Sequence, residues 1–233
     1  MKVGKLSTCI LIIILVLIVD QASKIYIKTH FPIGEVTRIF GWSWARIHFI
    51  ENSGMAWGWK FGHDGGKIAL TLFRLAAVIF GSWLLVKFAR EKYSRGFMIC
   101  VSLIYAGALG NLIDSMFYGM IFDKGYHYDP VIGDYVDQYY SGVATLGSKG
   151  YSSFLRGSVV DMLYFPIIST TYPEWIPWLG GKHFEFFSPI FNVADVAIST
   201  GVITLLVFQK KFYRKAGELQ EPSQPETYKA DIS

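Results

Sequence analysis

Asp195 lies in the stretch Phe191-Asn192-Val193-Ala194-Asp195, at the mouth of the last apolar run of a 233-residue chain. That run continues to Phe208 and reads as a membrane helix. A carboxylate kept at membrane depth is costly, and such a group marks a functional site by default. The first turns of a helix favour its negative charge. The other apolar runs carry costly residues of their own: Asp20 and Lys24 in the first, Arg74 in the second, Asn111 and Asp114 in the third, and Asn192 beside Asp195 in the last. Asp20 and Lys24 stand at helical i, i+4 spacing and can pair; Asn111 and Asp114, at i, i+3, also share a face. Carboxylates, amides and cations gathered in a membrane suit acid–base chemistry in a polar pocket, and they also suit proton-coupled transport.

The elements that must hold these residues follow from composition. The chain is 52% hydrophobic and 17% aromatic, and only 17% of its residues are charged, against roughly 25% in soluble domains. An all-α membrane protein is expected, with a small β-sheet on its outer face. It would form one domain over residues 1–209, with spans at about 6–27, 68–89, 97–117 and 190–208. Each run approaches the ~20 residues that a bilayer requires. The first follows Lys2 and Lys5, and no small-residue cleavage site succeeds it, so it reads as a retained span. Residues 34–60 hold the sheet region, where Ala45 to Ile50 partly alternates and Trp42, Trp44, Trp57 and Trp59 suit the headgroup level. Residues 118–157 form a Tyr-, Gly- and Asp-rich outer insert that reads as a solvated loop, and 210–233 a polar cytoplasmic tail. Cys9 and Cys100 both sit inside apolar runs, which argues against a disulfide framework.

Lys and Arg cluster at the amino terminus, between spans two and three, and at the start of the tail. The positive-inside rule makes these cytoplasmic, so both termini lie inside and the polar residues of all four spans gather at the outer leaflet. Basic residues in short clusters beside apolar runs indicate topology and exclude a nucleic-acid surface. The five histidines show no metal-ligand spacing, and Asp123, Asp129, Asp134 and Asp137 do not match a calcium loop, so neither metal nor cofactor is expected. Plainer readings stand beside the functional one. Asp20–Lys24 could be an interfacial ion pair, Arg74 a snorkelling side chain, and Asn111–Asp114 interhelical glue next to the small residues Ala106, Gly107, Ala108 and Gly110. On these grounds alone the chain is a four-span protein with a polar pocket opening outward, and which carboxylates react stays open.

Five ordered motifs narrow this: Asp20-Gln21-Ala22-Ser23-Lys24, Asn52-Ser53-Gly54-Met55-Ala56-Trp57, Gly107 to Asp114, Val159-Val160-Asp161-Met162, and Phe191 to Asp195. Together they resemble lipoprotein signal peptidase, the bacterial type II signal peptidase, over Leu6 to Phe208. The resemblance implies an aspartic peptidase of the inner membrane that removes the signal peptide from a prolipoprotein, cutting before a diacylglyceryl-modified cysteine. Asp161 and Asp195 would be the catalytic pair. Asn52, Gly54, Asn111, Asp114 and Asn192 would line or support the site, and Asp20 and Lys24 would hold it from span one. The partners would be the lipidated precursor and membrane lipid, with the chain acting as a monomer. The rival is a polytopic transporter or proton-coupled carrier with an outward-facing polar site. A carrier would be expected to have repeated halves around a midplane site, and no repeat is visible.

The chain departs from the family twice. Ser115 stands where the family usually has an arginine after the third-motif aspartate, and Arg74 is the expected substitute cation, with Arg156 next. The segments Ser115 to Val159 and Asp161 to Asn192 are also much longer than usual. They are expected to form a cap beside the site whose tip, Tyr126 to Tyr140, is dispensable.

Overall fold

The computed structural model describes residues 4–53, 64–91, 93–136, 140–147 and 149–212. In order, its elements are α1 (Lys5–His30), β1 (Val36–Arg38), β2 (Arg46–Asn52), α2 (Asp64–Arg90), α3 (Arg95–Ile113), a π-helical turn (Asp114–Tyr118) and α4 (Gly119–Ile121). Then come β3 (His127–Asp129), β4 (Asp134–Val136), β5 (Val159–Tyr164), β6 (Ile168–Thr171), β7 (His183–Phe186), β8 (Ile190–Phe191) and α5 (Val193–Val207). Gly54, Trp57, Trp59 and the tail from 213 onward lie outside the described residues.

Among the described residues, three helices are long and apolar enough to cross a bilayer: Lys5–His30, Gly65–Arg90 and Arg95–Ile121. The chain is therefore a multi-pass membrane protein. α1 ends where Pro32 follows, since the residue before a proline avoids helical geometry; the Phe31 N–H closes the last turn on Ile27 O at 2.9 Å. Ser94 caps α3 by accepting from the Phe97 N–H at 3.2 Å. α3 packs closely on both α1 and α5. A Cβ on Gly107 would lie 2.2 Å from Ala194 O, and one on Gly110 would lie 2.6 Å from Asp20 Oδ2. The small residues noted in the sequence therefore let three helices meet beside the polar cluster.

The last apolar run differs from its sequence reading. Its helix is 15 residues long and starts at Val193, three residues late. Asn192 adopts an extended conformation as the cap, and Ile190–Phe191 leave the helix to pair with β5 as β8. The sheet also exceeds the expected region. Its order is β1-β2-β5-β8, antiparallel throughout, and residues 36–52 supply only half of the strands. The register sets Ile50 opposite Asp161 and Asn52 opposite Val159. Alternation along β5 turns Val160 and Met162 into a core with Phe49, Ile27, Tyr118 and Phe122, and leaves Asp161 to the other face.

The insert is not the solvated loop expected. Phe122, Tyr126 and Ala144 are buried, and Phe122 and Ala144 belong to that same core. Glu51 on β2 ties it down. Its carboxylate pairs with the buried Lys28 ammonium and accepts from Tyr140 Oη at 2.8 Å and from the Tyr126 N–H at 2.9 Å. The rings of Phe122, Tyr140 and Tyr151 surround that ammonium at 5.0–5.5 Å. Both ends of the expected dispensable tip are thus anchored, and the hairpin β3–β4 lies between them. A second hairpin, β6–β7, interrupts the chain between β5 and β8.

Candidate active site

One fully buried cluster joins α1 to α3 and α5. Lys24 Nζ lies 2.9 Å from Asp20 Oδ2 and 2.8 Å from Asp114 Oδ2, and all three side chains are inaccessible to solvent. Asp20 Oδ1 accepts from the Ala194 N–H at 2.9 Å, which satisfies one of the free donors at the start of α5. Gln21 donates to Asp114 Oδ1 at 2.8 Å and to Gly110 O at 3.3 Å, and accepts from Tyr118 Oη at 3.1 Å. The interfacial-pair reading of Asp20–Lys24 is thereby replaced by a buried, three-helix clamp. Gln21 was absent from the candidates; its place directly after Asp20, in a membrane run, was the available signal.

Asn111 links this clamp to a second set of carboxylates. Its Oδ1 accepts from Lys24 Nζ at 3.0 Å and from Asn192 Nδ2 at 3.2 Å, while its Nδ2 donates to Asp195 Oδ1 at 2.9 Å. Asn192 and Asp195 form a reciprocal capping box: the Asp195 N–H donates to Asn192 Oδ1 at 3.0 Å, and the Asn192 N–H donates to Asp195 Oδ2 at 3.2 Å. The same Asn192 then reaches β5. Its Nδ2 donates to Asp161 Oδ1 at 2.7 Å and to Val160 O at 3.3 Å. Asn52 Nδ2 approaches Asp161 Oδ2 at 3.4 Å from β2. One asparagine therefore straps a strand carboxylate and a helix carboxylate into one place, with amides as their hydrogen-bond donors.

Asp161 is 4% exposed, whereas Asp195 is half-buried. Burial, reinforced by the charge of Asp195, pushes the Asp161 carboxyl up to about 7; Lys24 and the Asn192 and Asn52 amides oppose this in part. A carboxyl so placed holds a proton near neutral pH next to a second carboxylate, the arrangement that acid–base catalysis requires. Among the described residues no group of three or more His, Cys, Asp or Glu side chains converges as metal ligands would.

Arg74 does not snorkel. It donates from Nη1 to Ser115 Oγ at 2.7 Å, and that hydroxyl donates to Asn111 O at 2.9 Å. The guanidinium is close enough to feel the charges of Asp114, Asp195 and Asp161. Ser115 occupies the π-helical turn, a feature that recurs at functional sites. Arg156 donates instead to Ser153 Oγ.

The family model of signal peptidase (SPase) II matches residues 12–210. The lipoprotein signal peptidase of Porphyromonas gingivalis is 44% identical over 197 residues, covering 84% of this chain and 80% of the relative. That of Amoebophilus asiaticus is 32% identical, covering 91% and 79%. A solved bacterial membrane enzyme, determined by the in meso method at 1.9 Å resolution, superposes with a TM-score of 0.50 at 25% identity over 86% of this chain and 90% of its own. The two sequence relatives are lipoprotein signal peptidases, and they lend the transporter reading no support. With the matched span running through all five motifs, the chain belongs to the signal peptidase II family.

Proposed function

We propose that this peptidase removes the signal peptide from diacylglyceryl-modified prolipoproteins, cutting before the lipidated cysteine, and that Asp161 and Asp195 carry the reaction as an aspartic pair. The observation that carries the reading is the Asn192 strap, which holds both carboxylates by hydrogen bonds of 2.7–3.2 Å. In the mechanism Asp195, at the helix start and the more exposed of the two, takes a proton from an attacking water. Asp161, protonated near neutral pH, donates to the scissile carbonyl oxygen. The tetrahedral intermediate collapses as the amide nitrogen is protonated, and the two carboxyls exchange roles. Arg74 stands in for the family arginine, acting through Ser115 at the π-helical turn. Asp20, Lys24 and Asp114 position the start of α5 and touch no substrate.

α5, with the helical residues 209–212 beyond it, serves as the fourth crossing. Both termini lie in the cytoplasm by the positive-inside rule, and the site faces the outer leaflet, where water reaches the peptide while the acyl chains stay in lipid. The protein works as a monomer, with membrane lipid and the precursor as its partners. The test uses the full chain in phospholipid vesicles and a precursor peptide with or without diacylglycerol on its cysteine, read by mass spectrometry. The expected product begins with the lipidated cysteine, and the unlipidated peptide persists. Equal cleavage of both peptides, or of neither, would overturn the reading.

A further inference from the structure

The hairpin β6–β7 has two unlike faces. Cross-strand partners Ile168 and Phe186 share one face with Thr170, Phe184 and Tyr172, whose ring packs on Phe184 at 5.4 Å. Ser169, Thr171, His183 and Glu185 occupy the other, joined by Ser169–His183 at 3.4 Å and His183–Glu185 at 3.9 Å. On the polar face Glu185 is half-buried and reaches Tyr164 of β5, while Ser169, Thr171 and His183 stay exposed. The apolar face looks away, with Ile168 and Phe186 both about half exposed. Both faces are thus open, and a two-stranded hairpin is marginal in water without cover for its apolar face.

The loop between the strands is fixed rather than loose. The Tyr172 N–H donates to Lys182 O and the Gly181 N–H to Tyr172 O, each at 3.0 Å. From this frame Trp175 and Trp178 stand 80% and 92% exposed. Trp178 is held at φ 61°, a left-handed conformation that costs a bulky residue energy and persists only when its surroundings impose it. Two indoles are thus presented outward, that of Trp178 at a conformational cost.

We infer that this hairpin inserts its apolar face and both tryptophans into the outer leaflet of the bilayer. Continuity with the membrane-facing surface argues for lipid. Phe187, at the foot of β7, meets Phe191 at 6.0 Å, and Phe191 directly precedes the cap of α5. From Phe191 a chain of rings runs through Phe165 to Trp44 and Trp42, at 5.7, 6.2 and 5.2 Å. Tryptophan favours this boundary, with its ring in the acyl region and its N–H toward the headgroups. The charges of the segment are Glu174, Glu185, Lys182 and the titratable His183, so attraction to anionic lipid is not the driving term. The hairpin joins the strand of Asp161 to the helix of Asp195, and its seating holds both supports at one depth.

The test places a nitroxide at Trp178→Cys, in full-length chains with Cys9→Ala and Cys100→Ala, reconstituted in phosphatidylcholine vesicles; Thr171→Cys on the polar face is the reference. The ratio of oxygen to nickel-chelate accessibility is expected to be at least about fivefold higher at position 178. Equal ratios would overturn the proposal. So would a label at 178 shielded from both reagents, which would indicate a protein partner or a second copy, or an effect seen only with anionic lipid. Should the cysteine variants not fold, brominated phosphatidylcholine is expected to quench wild-type fluorescence more than that of the Trp175→Phe, Trp178→Phe chain. Equal quenching would again reject it.

Discussion

Two sets of carboxylates meet at the start of α5, and they are held in opposite ways. Asp20 and Asp114 flank one ammonium, Lys24, in a space closed to water. Asp161 and Asp195 are gathered by asparagine amides, and one of them is half-open. The first set shares one cation, and its ion pairs join three helices. The second keeps its acid–base capacity, because an amide satisfies a carboxylate without cancelling its charge. Asn111 belongs to both, with its oxygen toward Lys24 and its nitrogen toward Asp195. Similar side chains thus divide into a clamp and the pair proposed to react, according to whether a cation stands between them.

The division breaks most visibly at Lys24. Lys24→Met leaves two buried carboxylates without their cation, and loss of a buried partner costs about 3–5 kcal/mol. The expected result is a strongly lowered Tm, or no folded protein, in detergent or vesicles. A variant that stays folded but inactive would move Lys24 from the clamp to the chemistry.

The pH dependence of stability separates the sets next. Asp161 keeps its proton to about 7 in the fold, whereas an unfolded chain releases it near about 4. Between those values the folded state binds more protons, so stability falls as pH rises, by at most about 4 kcal/mol, and levels off above about 7. Replacement by Asp161→Asn removes this loss. The Tm of that variant relative to wild type should therefore climb from pH 4 to 7 and then stay flat. A constant difference would show that Asp161 is not held protonated.

Arg74→Met should lower kcat about tenfold without a matching loss of Tm, less than the ~10²–10³ of a direct oxyanion donor. Ser115→Arg in the same chain should restore part of it. Smallest of all is the effect of the β3–β4 hairpin. Replacing residues 127–136 by a short turn leaves Tyr126 and Tyr140 on Glu51, and cleavage should stay within about twofold of wild type.

Much of this was legible from local pattern. Membrane runs announce themselves by length, and the i, i+4 spacing of Asp20 and Lys24 predicted their contact. The motif Phe191 to Asp195 marked the mouth of α5, but the capping box turned Ile190 and Phe191 out of the helix into a strand. The Asp161–Asp195 pair came from resemblance to a family, because β5 is six residues long and meets β2 more than a hundred residues away. No local periodicity encodes such a pairing. The insert was misjudged for a related reason. Its core residues Phe122 and Ala144 sit in the short apolar stretches Met120–Phe122 and Val143–Ala144, too brief to show a period, and they close around the Lys28–Glu51 pair, which lies far off in the sequence. Arg74 and Ser115 lie on different helices, and their hydrogen bond required the packing of α2 on α3.

The most direct test is the initial rate of cleavage of a diacylglyceryl-modified precursor by purified Asp161→Asn and Asp195→Asn chains, each with its Tm measured in the same vesicles. Loss of about 10²–10⁴-fold in rate in both variants, with each Tm within a few degrees of wild type or above it, is the predicted result. Cleavage near the wild-type rate by either folded variant would contradict the account.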